Sequence, residues 1–164
     1  MPSRPAILTP AQRKSVEEWR ERGEVIVFTN GVFDLLHRGH LDYLEEARGL
    51  GDRLVVGVND DASVARLKGV GRPIVPAEER AALLESLECV DLAPIFHDDT
   101  PLALIEEVAP HVLVKGGDWP VENIVGRELV LERGGRVLNV PLRHGQSTSR
   151  IVARAAEGRS ALDD

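Results

Sequence analysis

The sequence runs Thr29-Asn30-Gly31-Val32-Phe33-Asp34-Leu35-Leu36-His37-Arg38-Gly39-His40 through the stretch that decides its fold. The residues from Val25 to Thr29 form an apolar run with the length and composition of a buried parallel strand. After the stretch, Leu41, Leu44 and Ala47 recur at helical spacing. The sequence therefore predicts a strand-to-helix turn, with a helix that begins near His40.

This turn has the features of a phosphate site. At a helix start, unpaired backbone N–H groups and the positive end of the helix dipole favour an anion. Gly39 lets a phosphate approach the backbone, and His37 and His40 can donate hydrogen bonds to a phosphoryl group as charge builds on it. The alternative is that His37 is an exposed loop residue and His40 only caps the helix. Two histidines around a glycine directly after a strand favour the phosphate site.

The rest of the chain alternates between apolar runs and helical patterns. Further strands are predicted at 54–58, 92–96, 112–115 and 136–140, and helices at 10–22, 60–67, 77–88, 101–108, 127–133 and in the apolar run from Ile151. This alternation predicts an α/β fold, a Rossmann-like doubly wound parallel sheet of about five strands with helices on both faces. Residues 1–23 are predicted to be a helical extension packed on a single domain at 24–164.

The ends of the predicted strands carry the polar motifs. In such sheets, ligands bind outside the carboxyl ends of the strands, so Thr29-Asn30 and Lys115-Gly116-Gly117-Asp118 are expected at one edge. The second motif could shape a nucleotide pocket, with Asp118 reading base or ribose, or could be a structural turn. Dinucleotide binding is not indicated, because no Gly-x-Gly-x-x-Gly turn follows the first strand.

Three further features of the sequence suggest functional roles. Lys68 lies in a loop with two glycines, which is typical of a mobile arm that closes on a polyphosphate, although an exposed linker lysine is the alternative. The run Ser147-Thr148-Ser149 precedes the last helical pattern and is expected to cap that helix and to offer an anion site. Asp34 is either a metal ligand or a hydrogen-bond acceptor within the turn.

Composition limits the possible functions. The chain has 164 residues, 43% of them hydrophobic, and a net charge of −7. This length fits one domain, and the acidic balance argues against a nucleic-acid surface. Positive charge must then be concentrated locally, and the candidates near loops are Lys68, Arg72, Lys115, Arg143 and Arg150.

The expected location is the cytoplasm. The single cysteine, Cys89, cannot form an intramolecular disulfide, and its apolar helical context predicts a buried structural thiol rather than a nucleophile. No stretch is apolar enough over the length needed to cross a bilayer, and the first residues lack the apolar core of a secretory signal. We therefore expect neither a membrane nor a nucleic acid as partner.

The motifs together resemble a known family. The His37-x-Gly39-His40 run resembles the signature of the HxGH, or cytidylyltransferase-like, nucleotidyltransferase superfamily. The motifs at 67–73, 114–118 and 145–149 are similar in order and spacing to the adenylyltransferase half of the bacterial bifunctional heptose kinase/adenylyltransferases, and the likeness extends over residues 24–157. Glycerol-phosphate cytidylyltransferases share much of the same scaffold.

The resemblance implies a reaction and its participants. AMP would pass from ATP to D-glycero-β-D-manno-heptose 1-phosphate, giving pyrophosphate and ADP-heptose, a lipopolysaccharide precursor. Mg²⁺ would be bound through the nucleotide phosphates without a protein ligand, a separate sugar kinase would supply the acceptor, and the default assembly is a homodimer. The alternatives are a CTP-dependent glycerol-3-phosphate cytidylyltransferase and, from another class, a non-catalytic nucleotide-binding module.

The resemblance also implies roles for particular residues. The expected catalytic residues are His37, His40 and Lys68. The expected nucleotide- and phosphate-binding residues are Thr29, Asn30, Gly31, Phe33, Gly39, Lys115, Gly116, Gly117, Asp118, Ser147, Thr148 and Ser149, and the expected substrate-binding residues are Asp34, Arg72 and Arg143. The chain departs from the family pattern at Val152, where a basic residue is usual, and Arg150 or Arg154 is the candidate to replace it.

Overall fold

A computed structural model describes residues 5–117, 119–142 and 147–160. Within these ranges the strands are β1 (Ile26–Gly31), β2 (Arg53–Asn59), β3 (Ile95–Phe96), β4 (Val112–Gly116) and β5 (Arg136–Val140). The α-helices are α1 (Pro10–Glu21), α2 (Arg38–Arg48), α3 (Asp61–Lys68), α4 (Ala77–Glu85), α5 (Leu102–Val108), α6 (Arg127–Glu132) and α7 (Thr148–Ser160), and one 3₁₀ turn covers Val121–Asn123. No helix in these ranges is both long and apolar enough to span a bilayer.

The strands form one parallel sheet in the order β3-β2-β1-β4-β5. The predicted α/β doubly wound fold is confirmed. The chain builds outward from β1 to β3 on one side and then crosses to β4 and β5 on the other, so the order reverses between β1 and β4. In open α/β sheets, the crevice at this reversal is where ligands bind. The loops after β1 and β4 therefore border the expected site.

Both faces of the sheet are buried, which explains why its strands are apolar runs. Val27 and Val56 point to one core, and Phe28 and Val55 to the other. The first core is covered by α2 and α4, and the second by α1, α5 and α6.

The leading helix is joined to this second core. Val16 and Trp19 of α1 are buried there. Ahead of the helix, the Glu107 carboxylate accepts hydrogen bonds from the backbone of Ile7 and Leu8 at 2.7 and 3.0 Å. The segment before β1 is therefore packed on the α/β layer.

Two predicted elements are shorter than expected. The strand predicted at 92–96 is reduced to Ile95–Phe96, with an isolated bridge from Leu92 to Val55, because Pro94 between them has no N–H for the ladder. The helix predicted at 77–88 ends at Glu85, where the Ser86 hydroxyl donates to a helix carbonyl. Cys89 consequently lies in a turn, only partly buried, and the prediction of a helical thiol is wrong.

Candidate active site

The two histidines close the amino end of α2 reciprocally. His37 is the N-cap residue, and its Nδ1 accepts a hydrogen bond from the Gly39 N–H at 3.1 Å. The Nδ1 of His40 accepts from the His37 N–H at 3.3 Å. Both rings therefore cap the helix, which was the alternative to phosphate binding for His40. Capping uses only one of the two nitrogens of each ring.

The capping contacts fix which nitrogen of each ring carries the proton. Because each Nδ1 accepts a hydrogen bond, the neutral rings are protonated on Nε2. The rings are stacked, with centroids 3.8 Å apart and planes 26° from parallel. Burial lowers the pKa of His37, and burial together with the neighbouring His37 lowers the pKa of His40 to about 4. At neutral pH the pair therefore offers two uncharged Nε2–H donors.

Phe33 packs against His40. Its ring meets the His40 ring edge-on, with centroids 5.3 Å apart, and its backbone adopts a φ of 49°. A Cβ atom at Gly31 would lie 2.9 Å from Cε2 of this ring, which is closer than real contacts allow. Glycine at position 31 thus lets Phe33 fold back under the histidine.

Asp34 joins this turn to the loop that follows α3. Its carboxylate accepts hydrogen bonds from the N–H groups of Ile74 and Val75 and from Nε of Arg72 at 2.8–2.9 Å. The residue is only 2% exposed. Burial raises its pKa, but the two N–H donors and the guanidinium outweigh that effect, and the pKa lies below its ordinary value. Asp34 and Arg72 are therefore engaged with each other, and their direct contact with a substrate stays a prediction.

Arg80 is a site-supporting residue that sequence reasoning missed. It lies on α4, is 1% exposed and donates to the carbonyl oxygens of Val32 and Val75 at 2.6 and 2.8 Å. Its guanidinium also pairs with Asp61 at the start of α3, at 2.9 Å. One buried cation thus holds the turn after β1 against α3 and the following loop. No local pattern marks it, because an arginine in a short helix usually faces solvent.

Lys68 is the last residue of α3 and is exposed to solvent. Gly69 and Gly71 after it have φ values of 93° and 82°, and Val70 between them is fully exposed. Nothing lies within 4 Å of a Cβ built on either glycine. The described contacts leave this arm, residues 67–71, open to solvent, but Lys68 ends a helix and does not lie in the predicted loop. Closure of the arm on a polyphosphate stays a prediction.

Lys115 approaches the same crevice from β4. Burial lowers its pKa, and the positive charge of Lys68 lowers it further. The structure therefore brings Lys68 and Lys115 within electrostatic reach of each other. The ammonium of Lys115 also lies 5.7 Å from the centroid of the Trp119 ring.

The predicted binding residues at the strand ends have different exposures. Thr29 is fully buried, and its hydroxyl lies 2.5 Å from the hydroxyl of Tyr43, whose pKa burial raises to about 12. Asn30 is half-buried at the end of β1. At Gly116, a Cβ would lie 3.2 Å from the Tyr43 ring. Thr29 is thus engaged with Tyr43 inside the fold, and its contact with a ligand stays a prediction.

The remaining predicted residues lie at α7 or outside the described ranges. The Ser147 hydroxyl accepts from the Arg150 N–H at 3.2 Å, so Ser147 caps α7 as predicted, and Thr148 and Ser149 open that helix. No hydrogen bond within the described ranges joins these hydroxyls to the histidines. Asp118 and Arg143 lie outside the described residues, as do Gly145 and Gln146 of the motif at 145–149.

In the described part of the chain, the side chains that commonly bind metals do not come together in one site. No group of three or more histidine, cysteine or acidic side chains there could hold an ion. Both oxygens of Asp34, the carboxylate of the turn, already accept hydrogen bonds. Binding of Mg²⁺ through the nucleotide phosphates stays a prediction.

Comparison with known proteins places this geometry in a family context. The family model described as cytidylyltransferase-like matches residues 28–154. The protein named bifunctional protein HldE from Citrifermentans bemidjiense is 56% identical over 133 residues, which cover 81% of this chain and 27% of that protein. The protein of the same name from Pseudomonas aeruginosa is 55% identical over 140 residues, covering 85% of this chain and 30% of the relative. The chain thus spans less than a third of these relatives.

Solved structures give the same fold. A lipopolysaccharide core biosynthesis protein from Thermoplasma volcanium is 32% identical, with a TM-score of 0.61, and the match covers 76% of this chain and all of that one. A protein from Archaeoglobus fulgidus matches with a TM-score of 0.53 at 22% identity over 75% of this chain and 93% of that one, which concerns the fold alone.

Proposed function

The chain belongs to the cytidylyltransferase-like family and is a nucleotidyltransferase, and from that premise we propose that it transfers AMP from ATP to a sugar 1-phosphate. The proposed acceptor is D-glycero-β-D-manno-heptose 1-phosphate, and the products are ADP-heptose and pyrophosphate. The support for this choice is the 50–56% identity to proteins named HldE over most of this chain.

The observation that carries the chemical proposal is the pair of uncharged Nε2–H donors. The acceptor phosphate is already an anion at neutral pH, so its attack on the α-phosphorus needs no general base. The charge that grows on the pentacoordinate centre needs donors already in place. We propose that His37 and His40 supply them, because their Nδ1 atoms are held by the helix start and their Nε2 atoms are free of that task.

The leaving pyrophosphate needs positive charge on the other side of the α-phosphorus. Lys68 and Lys115 are within electrostatic reach of each other and approach from different elements, and the start of α7 offers the Thr148 and Ser149 hydroxyls. We propose that these groups bind the β- and γ-phosphates. Mg²⁺ held by the nucleotide phosphates would neutralise part of their charge.

The partners of the reaction are proposals as well. A sugar kinase acting beforehand is required, because the acceptor is itself a phosphorylated sugar. The relatives are named bifunctional, and this chain spans only 27–30% of their length. We propose that the kinase is separate from this domain, and that the domain works as a homodimer, the commonest soluble assembly.

The experiment that tests the function is a substrate grid. ATP, CTP, GTP and UTP are each combined with heptose 1-phosphate, glycerol 3-phosphate and phosphoethanolamine, and pyrophosphate release is measured. We expect fast release only from ATP with the heptose phosphate, because a site that hydrogen-bonds one base leaves polar groups unpaired with the wrong one.

Two other results of the substrate grid would point to different functions. Fast turnover of CTP with glycerol 3-phosphate would reassign the substrates and leave the histidine roles intact. Release in no combination, together with nucleotide binding by calorimetry, would favour a non-catalytic binding module. The Lys14→Ala variant, changed on the outer surface of α1, controls for preparation effects.

A further inference from the structure

An exposed aromatic side chain stands at the carboxyl end of β4. Trp119 is 54% exposed and Leu142, after β5, is 60% exposed. A Cβ built on Gly117 would lie 4.0 Å from an atom of each side chain, so the two flank this glycine. We call Trp119, Leu142 and the Gly117 backbone the apolar shelf. It borders the crevice that Lys115 enters.

The shelf is held in place from both neighbouring strands. The side-chain amide of Asn139 on β5 donates a hydrogen bond to the Trp119 carbonyl oxygen. Lys115 on β4 places its ammonium over the Trp119 ring, within the distance of a cation–π interaction. Gly117 turns the chain with a φ of 87°, a left-handed conformation that favours glycine. The backbone of Trp119 is therefore held by β5, and its ring lies beside the Lys115 ammonium while much of its surface stays exposed to solvent.

An exposed tryptophan beside the lysines of the crevice fits one part of a nucleotide. The phosphates require the lysines, whereas the base offers a flat aromatic face separated from the phosphates by the ribose. Base stacking on an aromatic side chain favours binding of any base, and a purine covers more of an indole than a pyrimidine does. Building on the proposed function, we infer that Trp119 is the platform on which the adenine of ATP stacks, and that it favours purine over pyrimidine nucleotides.

Fluorescence reads this contact directly. The chain has two tryptophans, and the other, Trp19, is buried in the core at 7% exposure. In the Trp19→Phe variant, we expect ATP to quench the remaining fluorescence, and inorganic tripolyphosphate with the same Mg²⁺ to leave it unchanged. Should Trp19→Phe fail to fold, the difference between the unmodified protein and Trp119→Phe gives the same signal.

Kinetics tests the consequence for ATP binding. Trp119→Ala should raise the KM for ATP about tenfold, within the 5- to 150-fold range expected for loss of one stacking contact. The kcat and the KM for the acceptor should change less than about twofold, because the ring binds the base and not the reacting atoms. Trp119→Phe should recover most of the loss. Leu131→Ala, which removes an exposed leucine of α6, should have no effect.

Failure of the stacking inference and failure of the proposed function would give different results. An unchanged KM for ATP, or a rise in the acceptor KM instead, would overturn the inference and leave adenylyl transfer intact, the second result assigning the ring to the sugar. Equal quenching by ATP and tripolyphosphate would also overturn it. If no nucleotide and acceptor pair releases pyrophosphate, the proposed function fails, and ATP-specific quenching would still support the stacking contact.

Discussion

The turn after β1 and the arm at 67–71 belong to the same crevice but are built in opposite ways. In the turn, His37 and His40 cap one helix start together, and the Asp34 carboxylate accepts four hydrogen-bond contacts. In the arm, Val70 is fully exposed between two glycines with left-handed backbones. One region is fixed by its polar contacts, and the other has few contacts to hold it.

This difference matches two demands of phosphoryl chemistry. Donors that stabilise a transition state are effective when they need no rearrangement during the reaction. Charged groups that capture a polyphosphate must let it enter and leave, which favours a segment that can close and open. We therefore expect changes in the turn to affect kcat and stability, and changes in the arm to affect KM.

Replacing either histidine should have the largest effect. His37→Ala or His40→Ala should lower kcat about a hundredfold or more, since a preorganised donor to a developing charge is worth about 3–4 kcal/mol. Pyrophosphate release with the preferred substrates measures it. Loss of the cap should cost about 1 kcal/mol of stability, which leaves the protein folded. His97→Ala, an exposed ring paired with Asp60, is the matched control. Near-normal turnover in both variants would reduce the two rings to caps.

Removing the charge of Asp34 tests how firmly the turn is fixed. Asp34→Asn should lower the free energy of unfolding by about 2–4 kcal/mol, because its amide cannot satisfy two N–H donors and a guanidinium in a buried position. Urea unfolding measures it. The control is Asp99→Asn, which breaks an exposed ion pair to Arg66 and should cost less than about 0.5 kcal/mol. Equal losses in the two variants would show that Asp34 is no anchor.

Lowering the pH should destabilise the protein through His40 in the turn. The pKa of His40 falls from 6.5 to about 4 in the folded protein, so between these values the unfolded chain binds a proton that the folded one refuses. The contribution of the neutral His40 ring to stability is present above pH 6.5 and should decrease by about 3 kcal/mol as the pH falls toward 4. His40→Gln keeps a capping acceptor and removes this titration. Parallel stability curves for the two proteins over that range would contradict the assigned proton state.

A change in the arm should have the smallest effect, and it should alter KM rather than kcat or stability. Lys68→Ala should raise the KM for ATP about tenfold through loss of a charge-assisted contact, with little change in stability. Lys14→Ala removes the same charge from α1, where the lysine is exposed and pairs loosely with Glu18 at 3.8 Å, and should change nothing. A loss of stability in Lys68→Ala, or equal kinetic effects of both changes, would end the distinction between arm and turn.

Local patterns in the sequence predicted most of the fold. Strands buried on both faces leave apolar runs, and the capping box at Thr9 marks the start of α1. The edge strand was predicted too long, because Leu92 is as apolar as Phe96 and the break at Pro94 depends on the hydrogen bonds of the neighbouring strand.

The site was predictable only where its residues are close in sequence. His37, Gly39 and His40 meet within one turn of chain, so their pattern carries the geometry. Asp34 and Ile74 meet across 40 positions, and Arg80 and Val32 across 48. Such pairs leave no periodic trace, and the burial of Arg80 arises only when α4 packs against the sheet.

Arg80 also governs how this part of the molecule can open. Its guanidinium is shared by the segment after β1, the start of α3 and the loop before α4, through Val32, Asp61 and Val75. If any one of these segments detached alone, a buried cation would lose a partner, at a cost of several kcal/mol. Local opening is thereby suppressed in favour of one cooperative unit. The amides of the histidine turn should consequently exchange with solvent as slowly as those of the sheet beneath it, although the turn is a loop at its edge.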